Sequence, residues 1–142
     1  MTLKGENMES KLKVLIIDDF EMVRMMLNNS LKLMGVHNYH DSENGAEAWK
    51  KLENARNSND PFNFIFCDWN MPEMSGIDFL SKCRNSEHYK SIPIIMVTAE
   101  SEQNQIVEAL KKGATDYIIK PISPEMLEKK VKKAIHRHTK AG

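Results

Sequence analysis

The sequence predicts an α/β fold with one doubly wound, five-stranded parallel sheet and five helices. Short apolar runs typical of buried strands alternate five times along the chain with amphipathic segments of helical spacing. Such alternation produces βαβ units with right-handed crossovers, which cover a parallel sheet on both faces. At this length the favoured strand order is 2-1-3-4-5.

The strand segments are apolar and mostly rich in β-branched residues. The first has the sequence Val-Leu-Ile-Ile and is bounded by charged residues, and the second is short and weakly apolar. Pro93 precedes the fourth, which suits the first position of a strand. We predict strands at Val14–Ile17, Asn38–Asp41, Phe62–Cys67, Ile94–Val97 and Asp116–Ile119.

The helical segments are recognised by apolar side chains three and four residues apart and by their end signals. Gly35 and Gly113 are stop signals, whereas Ser123 and Pro124 suit the N-cap and first position of the last helix. We predict helices at Glu21–Met34, Gly45–Ala55, Gly76–Arg84 and Glu102–Lys112, and from Pro124 to about His138. A turn-rich surface loop is expected over 56–61.

Several apolar side chains of these helices are expected in the core. In the fourth helix these are Val107 and Leu110 together with Ile106. Methionine fills irregular gaps well, so we expect the methionines of the first helix to fill the core, with an adaptable partner surface as the alternative. They are Met22, Met25, Met26 and Met34.

Length and composition indicate one globular domain. The chain has 142 residues, of which 41% are hydrophobic and 28% charged, so bulk disorder is excluded. Lys and Arg together equal Asp and Glu at 20 each, so no global field would attract nucleic acid. We expect a flexible lead-in over 1–11, a domain over 12–139 and a tail over 140–142.

The chain is expected to be cytoplasmic. No apolar run approaches the roughly 20 residues of a membrane span, and the polar start does not resemble a secretory signal. Cys67 and Cys83 lie in apolar patterns without metal-ligand spacing, so we expect both to be buried free thiols.

Polar residues follow the predicted strands on the side where such sheets bind ligands. Asp18 and Asp19 end the first strand, and Asp68 ends the third. The fourth and fifth strands end in Thr98 and Lys120. The order 2-1-3-4-5 places the first and third strands side by side, so the three carboxylates are expected to converge.

Three converging carboxylates remain ionised together only where a cation compensates their charge. An all-oxygen ligand set selects a hard ion, above all Mg²⁺. A carboxylate can attack phosphorus to form an acyl phosphate, with a metal ion and a lysine neutralising the phosphoryl oxygens. Asp68 is the best candidate for this nucleophile, and the loop behind it (69–76) offers backbone carbonyls to the metal.

With these residues the sequence resembles the receiver domains of two-component signalling, and specifically chemotaxis response regulators of the CheY type. The resemblance spans about Lys13–His138. The motifs that carry it are Asp18-Asp19, the block 68–76 (DWNMPEMSG), the run 96–100 (MVTAE) and Lys120-Pro121.

The resemblance implies a phosphoacceptor and a metal site in a flavodoxin-like receiver fold. Asp68 would accept a phosphoryl group from the phosphohistidine of a histidine kinase. Mg²⁺ would be bound directly by Asp19, Asp68 and the backbone carbonyl of Asn70, with Asp18 acting largely through water. Calling such a protein an enzyme would mislead, because its chemistry is limited to its own phosphorylation and dephosphorylation.

The resemblance also implies a switch. Lys120 would pair with Asp68 or its phosphate, and the Lys120–Pro121 peptide would be cis. Thr98 would turn inward onto the phosphate, and the ring of Tyr117 would move between exposed and buried positions. The two positions that tune self-dephosphorylation would be Asn70 and Glu100.

The family's partners bind through the face formed by the fourth helix, fifth strand and fifth helix. Basic residues are frequent at the end of this chain (Lys129–Lys140) and fit a solvated helix face, with an acidic target peptide as the alternative that the family's docking face suggests. The resemblance implies a monomer that binds a flagellar motor switch protein or another protein target. It implies neither nucleic-acid binding nor membrane insertion.

Three alternatives remain open from the sequence. The chain could act as a phosphorelay intermediate that passes its phosphate to a histidine phosphotransfer protein. A flavodoxin shares the sheet order, but the acidic first loop (18–21, DDFE) would repel a bare phosphate. An aspartyl phosphohydrolase would place its nucleophile on the first strand, with a second carboxylate two residues later.

Overall fold

The computed structural model describes residues 8–99 and 103–141, with side chains described over 9–99 and 103–137. The predicted fold is confirmed: one parallel sheet has the strand order β2-β1-β3-β4-β5. The strands are β1 (Lys13–Ile17), β2 (Asn38–Ser42), β3 (Phe64–Asp68), β4 (Ile94–Thr98) and β5 (Asp116–Ile119). The helices are α1 (Glu21–Leu33), α2 (Gly45–Asn57), α3 (Gly76–Arg84), α4 (Gln103–Lys111) and α5 (Pro124–Ala141). A short 3-10 turn, Met8–Lys11, precedes β1.

The sheet register aligns the carboxyl ends of the central strands. Ile17 of β1 pairs with Cys67 of β3, so the next residue of each chain segment, Asp18 or Asp68, lies at the same edge. Thr98 of β4 pairs with Ile119 of β5, which places Lys120 at that edge as well.

Two apolar cores lie on opposite faces of the sheet, because successive strand side chains point to opposite sides. Val14 and Ile16 of β1 join the core beneath α1 and α5. Leu15 and Ile17 join the core beneath α2 and α3. Cys67 and Cys83 are buried there as free thiols, as predicted.

Two element boundaries differ from the sequence prediction around the loop between α2 and β3. Helix α2 extends through Asn57, two residues beyond its predicted end, because the helical hydrogen bonds continue to Ser58, whose N–H donates to the Asn54 carbonyl at 3.1 Å. Strand β3 begins at Phe64 rather than Phe62. The side chain of Asn63 accepts a hydrogen bond from the backbone N–H of Lys13 at 2.8 Å, in place of a regular strand pairing.

The core prediction for the methionines of α1 is wrong for three of them. Met22, Met25 and Met26 are exposed, whereas Met34 packs against the core. The buried positions of α1 are Arg24, Leu27, Ser30 and Leu31, which form a narrower stripe than the apolar residues of the sequence suggest.

The prediction for α4 is also partly wrong. Ile106 is buried as expected, but Val107 and Leu110 are exposed by 53% and 43%. Their place in the core is taken by Ala109, whose small side chain lets α4 approach the sheet.

In the part of the chain that the structure describes, no helix combines the length and hydropathy required to cross a membrane.

Candidate functional site

Three carboxylates meet at the carboxyl edge of the sheet. Asp18, Asp19 and Asp68 each place one oxygen within 4.8 Å of the oxygens of the other two. Asp18 and Asp68 are buried, whereas Asp19 is exposed. The structure therefore brings together the three acidic residues that the sequence analysis singled out.

Asp18 is held in place by backbone hydrogen bonds on both sides. Its own N–H donates to the carbonyl of Ser42 at 3.1 Å, and its Oδ1 accepts from the N–H of Phe20 at 2.9 Å. Its Oδ2 is buried and, apart from the ion pair with Lys120 at 3.3 Å, has no hydrogen-bond partner among the described residues. Burial raises the pKa of Asp18 above its ordinary value.

Asp68 is the last residue of β3 and is only 5% exposed. Burial, followed by repulsion from the Asp18 carboxylate, raises the pKa of Asp68 to about 6. At neutral pH the side chain is therefore still mostly ionised and keeps the lone pairs that a nucleophile needs.

Lys120 bridges the two buried carboxylates. Its Nζ lies 3.3 Å from Asp68 Oδ1, within hydrogen-bond geometry, and 3.3 Å from Asp18 Oδ2. Burial disfavours the lysine charge, but the Asp68 and Asp18 carboxylates outweigh it, so the pKa of Lys120 is raised. The Lys120–Pro121 peptide is cis, as the resemblance implied.

The acidic cluster fits a hard divalent cation. One lysine cannot balance three carboxylates, and Lys120 is shared between Asp18 Oδ2 and Asp68 Oδ1 at 3.3 Å from each. Side-chain ligands of oxygen alone are those preferred by Mg²⁺. Asn70, whose backbone carbonyl was predicted as a further ligand, lies two residues beyond Asp68 with an exposed side chain.

The predicted switch residues flank this site on the last two strands. Thr98 is buried at the end of β4, and its carbonyl accepts from the N–H of Lys120 at 2.8 Å. Tyr117 is half-buried on β5, two strand positions before Ile119. Glu100, predicted to tune dephosphorylation, falls outside the described residues.

Arg24, which was not among the predicted site residues, supports the first acidic turn. This arginine is 7% exposed on α1, and its Nη1 donates to the carbonyl of Asp18 at 2.7 Å. Its guanidinium also lies 3.5 Å from Asp41 and 3.8 Å from Glu43. The available signal was a charged residue three positions before Leu27, within the apolar stripe of the helix.

Gly76 ends the motif 68–76, but its sequence position alone predicted no structural role for it. A Cβ at this position would stand 2.0 Å from the carbonyl oxygen of Asp68. The N–H of Gly76 donates to the carbonyl of Trp69 at 2.8 Å. Only glycine allows α3 to begin so close to the end of β3.

The comparison with known proteins agrees with this geometry. The family model of the response regulator receiver domain matches residues 14–132. The chain belongs to the response regulator receiver family. A receiver of this kind is a signalling protein of two-component systems rather than an enzyme in the usual sense, and receivers in general bind Mg²⁺.

Curated relatives of this receiver are similar over most of its length. It is 38% identical to "Chemotaxis protein CheY1" of Helicobacter pylori over 120 residues, which cover 84% of this chain and 94% of the relative. It is 37% identical to "Chemotaxis protein CheY" of Pseudomonas aeruginosa over 126 residues, covering 89% and 98%.

Among solved structures, this receiver is similar to the chemotaxis response regulator CheY4 of Vibrio cholerae. The TM-score is 0.76 at 34% identity, covering 87% of this chain and 98% of the other. A receiver domain protein of Clostridium thermocellum, at 23% identity and a TM-score of 0.79, supports the fold alone.

Proposed function

We propose that this receiver is a chemotaxis response regulator in which Mg²⁺-dependent phosphorylation of Asp68 by a histidine kinase switches binding to a downstream protein. The observation that carries the proposal is the acidic cluster bridged by Lys120 at 3.3 Å from both Asp18 and Asp68. Relatives named as chemotaxis proteins support the physiological setting.

Asp18, Asp19 and the Asn70 carbonyl would hold the ion together with Asp68, and the ion would supply charge neutralisation for the phosphoryl oxygens. A carboxylate oxygen of Asp68 attacks phosphorus as the P–N bond of the phosphohistidine breaks. The electron pair of that bond leaves with the imidazole nitrogen, and an acyl phosphate remains on Asp68.

Lys120 and Thr98 respond to the new phosphoryl group. Lys120 already lies against the Asp68 oxygen, so its ammonium neutralises charge that develops on the phosphoryl oxygens without a large movement. The Thr98 side chain turns inward and donates a hydrogen bond from its hydroxyl to one of these oxygens. The movement of Thr98 frees space for the Tyr117 ring. Phosphorylation thereby shifts a two-state equilibrium.

The output surface we propose is the face formed by α4, β5 and α5. A cavity of about 450 Å³ opens there between Tyr117, Pro121 and Met126, with Lys129, Lys130 and Lys133 along it. Val107 and Leu110 of α4 add exposed apolar area. This combination favours an acidic, partly apolar peptide, such as one from a flagellar motor switch protein.

A phosphorelay role is the second candidate, and the exposed surface of α1 favours it. Phe20 and Met22, which are 63% and 73% exposed, lie within three residues of Asp19. Together with Met25 and Met26 they offer an apolar contact for a second phosphotransfer protein beside the site. Rapid loss of phosphate to a histidine phosphotransfer domain would distinguish this role from the motor-control role.

The decisive experiment follows tryptophan fluorescence of Trp49→Phe, which leaves Trp69 as the remaining tryptophan. Mg²⁺ is added first and beryllofluoride, a phosphoryl mimic, second. We expect the fluorescence to change on each addition. We expect Asp68→Asn, in the same Trp49→Phe background, not to respond to beryllofluoride. Calorimetry repeats both titrations, because Trp69 is 6% exposed and packs in the core beneath α2 and α3.

Phosphorylation with a small-molecule phosphodonor identifies the acceptor. Mass spectrometry should find one phosphoryl group on Asp68 and none in Asp68→Asn. Full phosphorylation of Asp68→Asn at another residue would refute the assignment of Asp68. Absence of any response to Mg²⁺ and beryllofluoride by both methods would mean that the chain acts as a binding module without phosphoryl chemistry.

A further inference from the structure

The ring of Tyr117 contacts a cation from α5. Lys130 Nζ lies 4.4 Å from the centre of the ring, within the distance of a cation–π interaction. The Lys130 side chain is 19% exposed, so water screens this contact less than one at the open surface. Movement of the Tyr117 ring therefore requires the loss of an attractive contact.

Lys130 is itself fixed by a buried carboxylate. Its Nζ lies 2.9 Å from Oδ1 of Asp116, a residue of β5 whose side chain is 8% exposed. The same Oδ1 accepts the N–H of Tyr117 at 2.8 Å. Arg137 lies 3.8 Å from Asp116 Oδ2 and donates to the carbonyl of Thr115 at 3.0 Å, so α5 is tied to β5 at a second point.

We propose that Asp116 and Lys130 are positioning residues that hold the Tyr117 ring against α5 and thereby oppose activation of the switch. Lys130 cannot follow the ring without leaving Asp116, whose buried charge would then be less well compensated. In this arrangement Lys120 contacts the Asp68 carboxylate itself. This inference rests on the proposed function.

The neighbouring lysines provide a matched comparison. Lys129 and Lys133 line the same cavity on α5 but are exposed, and neither forms an ion pair with any other described residue. Loss of charge at Lys133 should therefore change the potential of this surface without releasing the ring. Loss of charge at Lys130 should do both.

Release of the Tyr117 ring should change the affinity for beryllofluoride, because the position of the ring and occupation of the phosphoryl site are thermodynamically linked. If the contact favours the unmodified arrangement, its loss raises the apparent affinity of the protein for beryllofluoride in the presence of Mg²⁺. We expect an increase of about two- to tenfold for Lys130→Gln, from the usual strength of a partly buried cation–π contact. Asp116→Asn should act in the same direction, because it loosens Lys130.

The test uses the full chain labelled with 3-fluorotyrosine and observed by fluorine NMR. Three tyrosines give three signals, and Tyr117→Phe identifies the signal of Tyr117. The variants are Lys130→Gln, Asp116→Asn, Lys130→Arg and the control Lys133→Gln. Each is measured in EDTA and then titrated with beryllofluoride in Mg²⁺.

We expect Lys130→Gln and Asp116→Asn to move the Tyr117 signal in EDTA and to tighten beryllofluoride binding. Lys130→Arg retains a cation and should keep the Tyr117 signal and the beryllofluoride affinity close to those of the original sequence. Lys133→Gln should change neither of them. A Tyr117 signal that does not move in Lys130→Gln, or moves equally in Lys133→Gln, would overturn the proposal. So would a shifted signal with unaltered beryllofluoride affinity.

Failure of the proposed function gives a different result. In that case the original sequence does not bind beryllofluoride at all, and Asp116 and Lys130 have no switch to oppose. The signals in EDTA would still show whether Lys130 holds the ring.

Discussion

At the scale of single residues, Arg24 joins the acidic turn after β1 to helix α1. Its buried Nη1 is a charged donor to the Asp18 carbonyl at 2.7 Å. Arg24→Met keeps the length of the side chain and removes this donor, leaving the buried carbonyl with one partner fewer. We expect a loss of about 2–3 kcal/mol in the free energy of unfolding, measured with urea.

Lys32→Met is the control for Arg24, since it removes an exposed positive charge from the same helix. It should change stability by less than about 0.5 kcal/mol. Arg24→Lys should recover only part of the stability, because an ammonium lacks the fork that serves Asp18 and the Asp41 side chain together. Equal effects of Arg24→Met and Lys32→Met would contradict this role.

At the scale of elements, the start of α3 is packed against the end of β3. Gly76→Ala would place a Cβ 2.0 Å from the Asp68 carbonyl oxygen, and backbone atoms on both sides cannot rotate away. We expect a loss of about 3 kcal/mol or more, or a protein that does not fold, measured by urea unfolding.

Gly35→Ala separates this steric effect from the general cost of replacing glycine. Gly35 ends α1 with a φ of +96°, but nothing lies within 4 Å of its would-be Cβ. Only backbone strain opposes the substitution, so we expect a loss of about 1–2 kcal/mol. A Gly76→Ala variant as stable as Gly35→Ala would show that α3 can move away from β3.

The elements also show how far sequence patterns predict the fold. Strands β1, β4 and β5 were predicted to within one residue, because short apolar runs bounded by polar residues are typical of strands. The exposed Met25 and Leu110 were misplaced, because a helix over a sheet buries a stripe narrower than its apolar residues can cover. Whether these side chains are buried depends on how neighbouring elements pack, and a local sequence pattern does not contain that information.

The acidic site was predictable for a different reason. Parallel strands end at one edge, so the sheet order alone placed Asp18, Asp68 and Lys120 together. The contacts of Arg24 and Lys130 were not predictable, because each side chain reaches across to another element for its partner. Spacing within one helix contains no information about such contacts.

At the scale of the whole molecule, the acidic site links stability to pH and Mg²⁺. Burial, followed by the Asp18 charge, raises the pKa of Asp68 to about 6 from an ordinary 3.8. The folded protein therefore binds more protons than the unfolded chain between about pH 4 and pH 6, and the contribution of Asp68 to stability falls as pH rises through this range. The loss is complete only about one pH unit above the pKa of Asp68, where the folded protein is also fully ionised at this residue.

Asp68→Asn removes this loss of stability, because asparagine does not ionise. In EDTA we expect the variant to be more stable than the original sequence at pH 7.5, by about 1–2 kcal/mol in urea unfolding. The difference should shrink at pH 5, where Asp68 is largely protonated in the folded state. Asp78→Asn, at an exposed carboxylate of α3, is the control and should give the same small change at both pH values.

Mg²⁺ should reverse the order of stability at pH 7.5. A ligand at 100 times its dissociation constant stabilises the folded state by about 2.7 kcal/mol, and Asp68→Asn removes one of the charges that attract it. The original sequence should therefore gain more stability from Mg²⁺ than the variant gains. Equal gains, or a variant less stable than the original sequence in EDTA at pH 7.5, would mean that Lys120 already compensates the buried carboxylates without a metal ion.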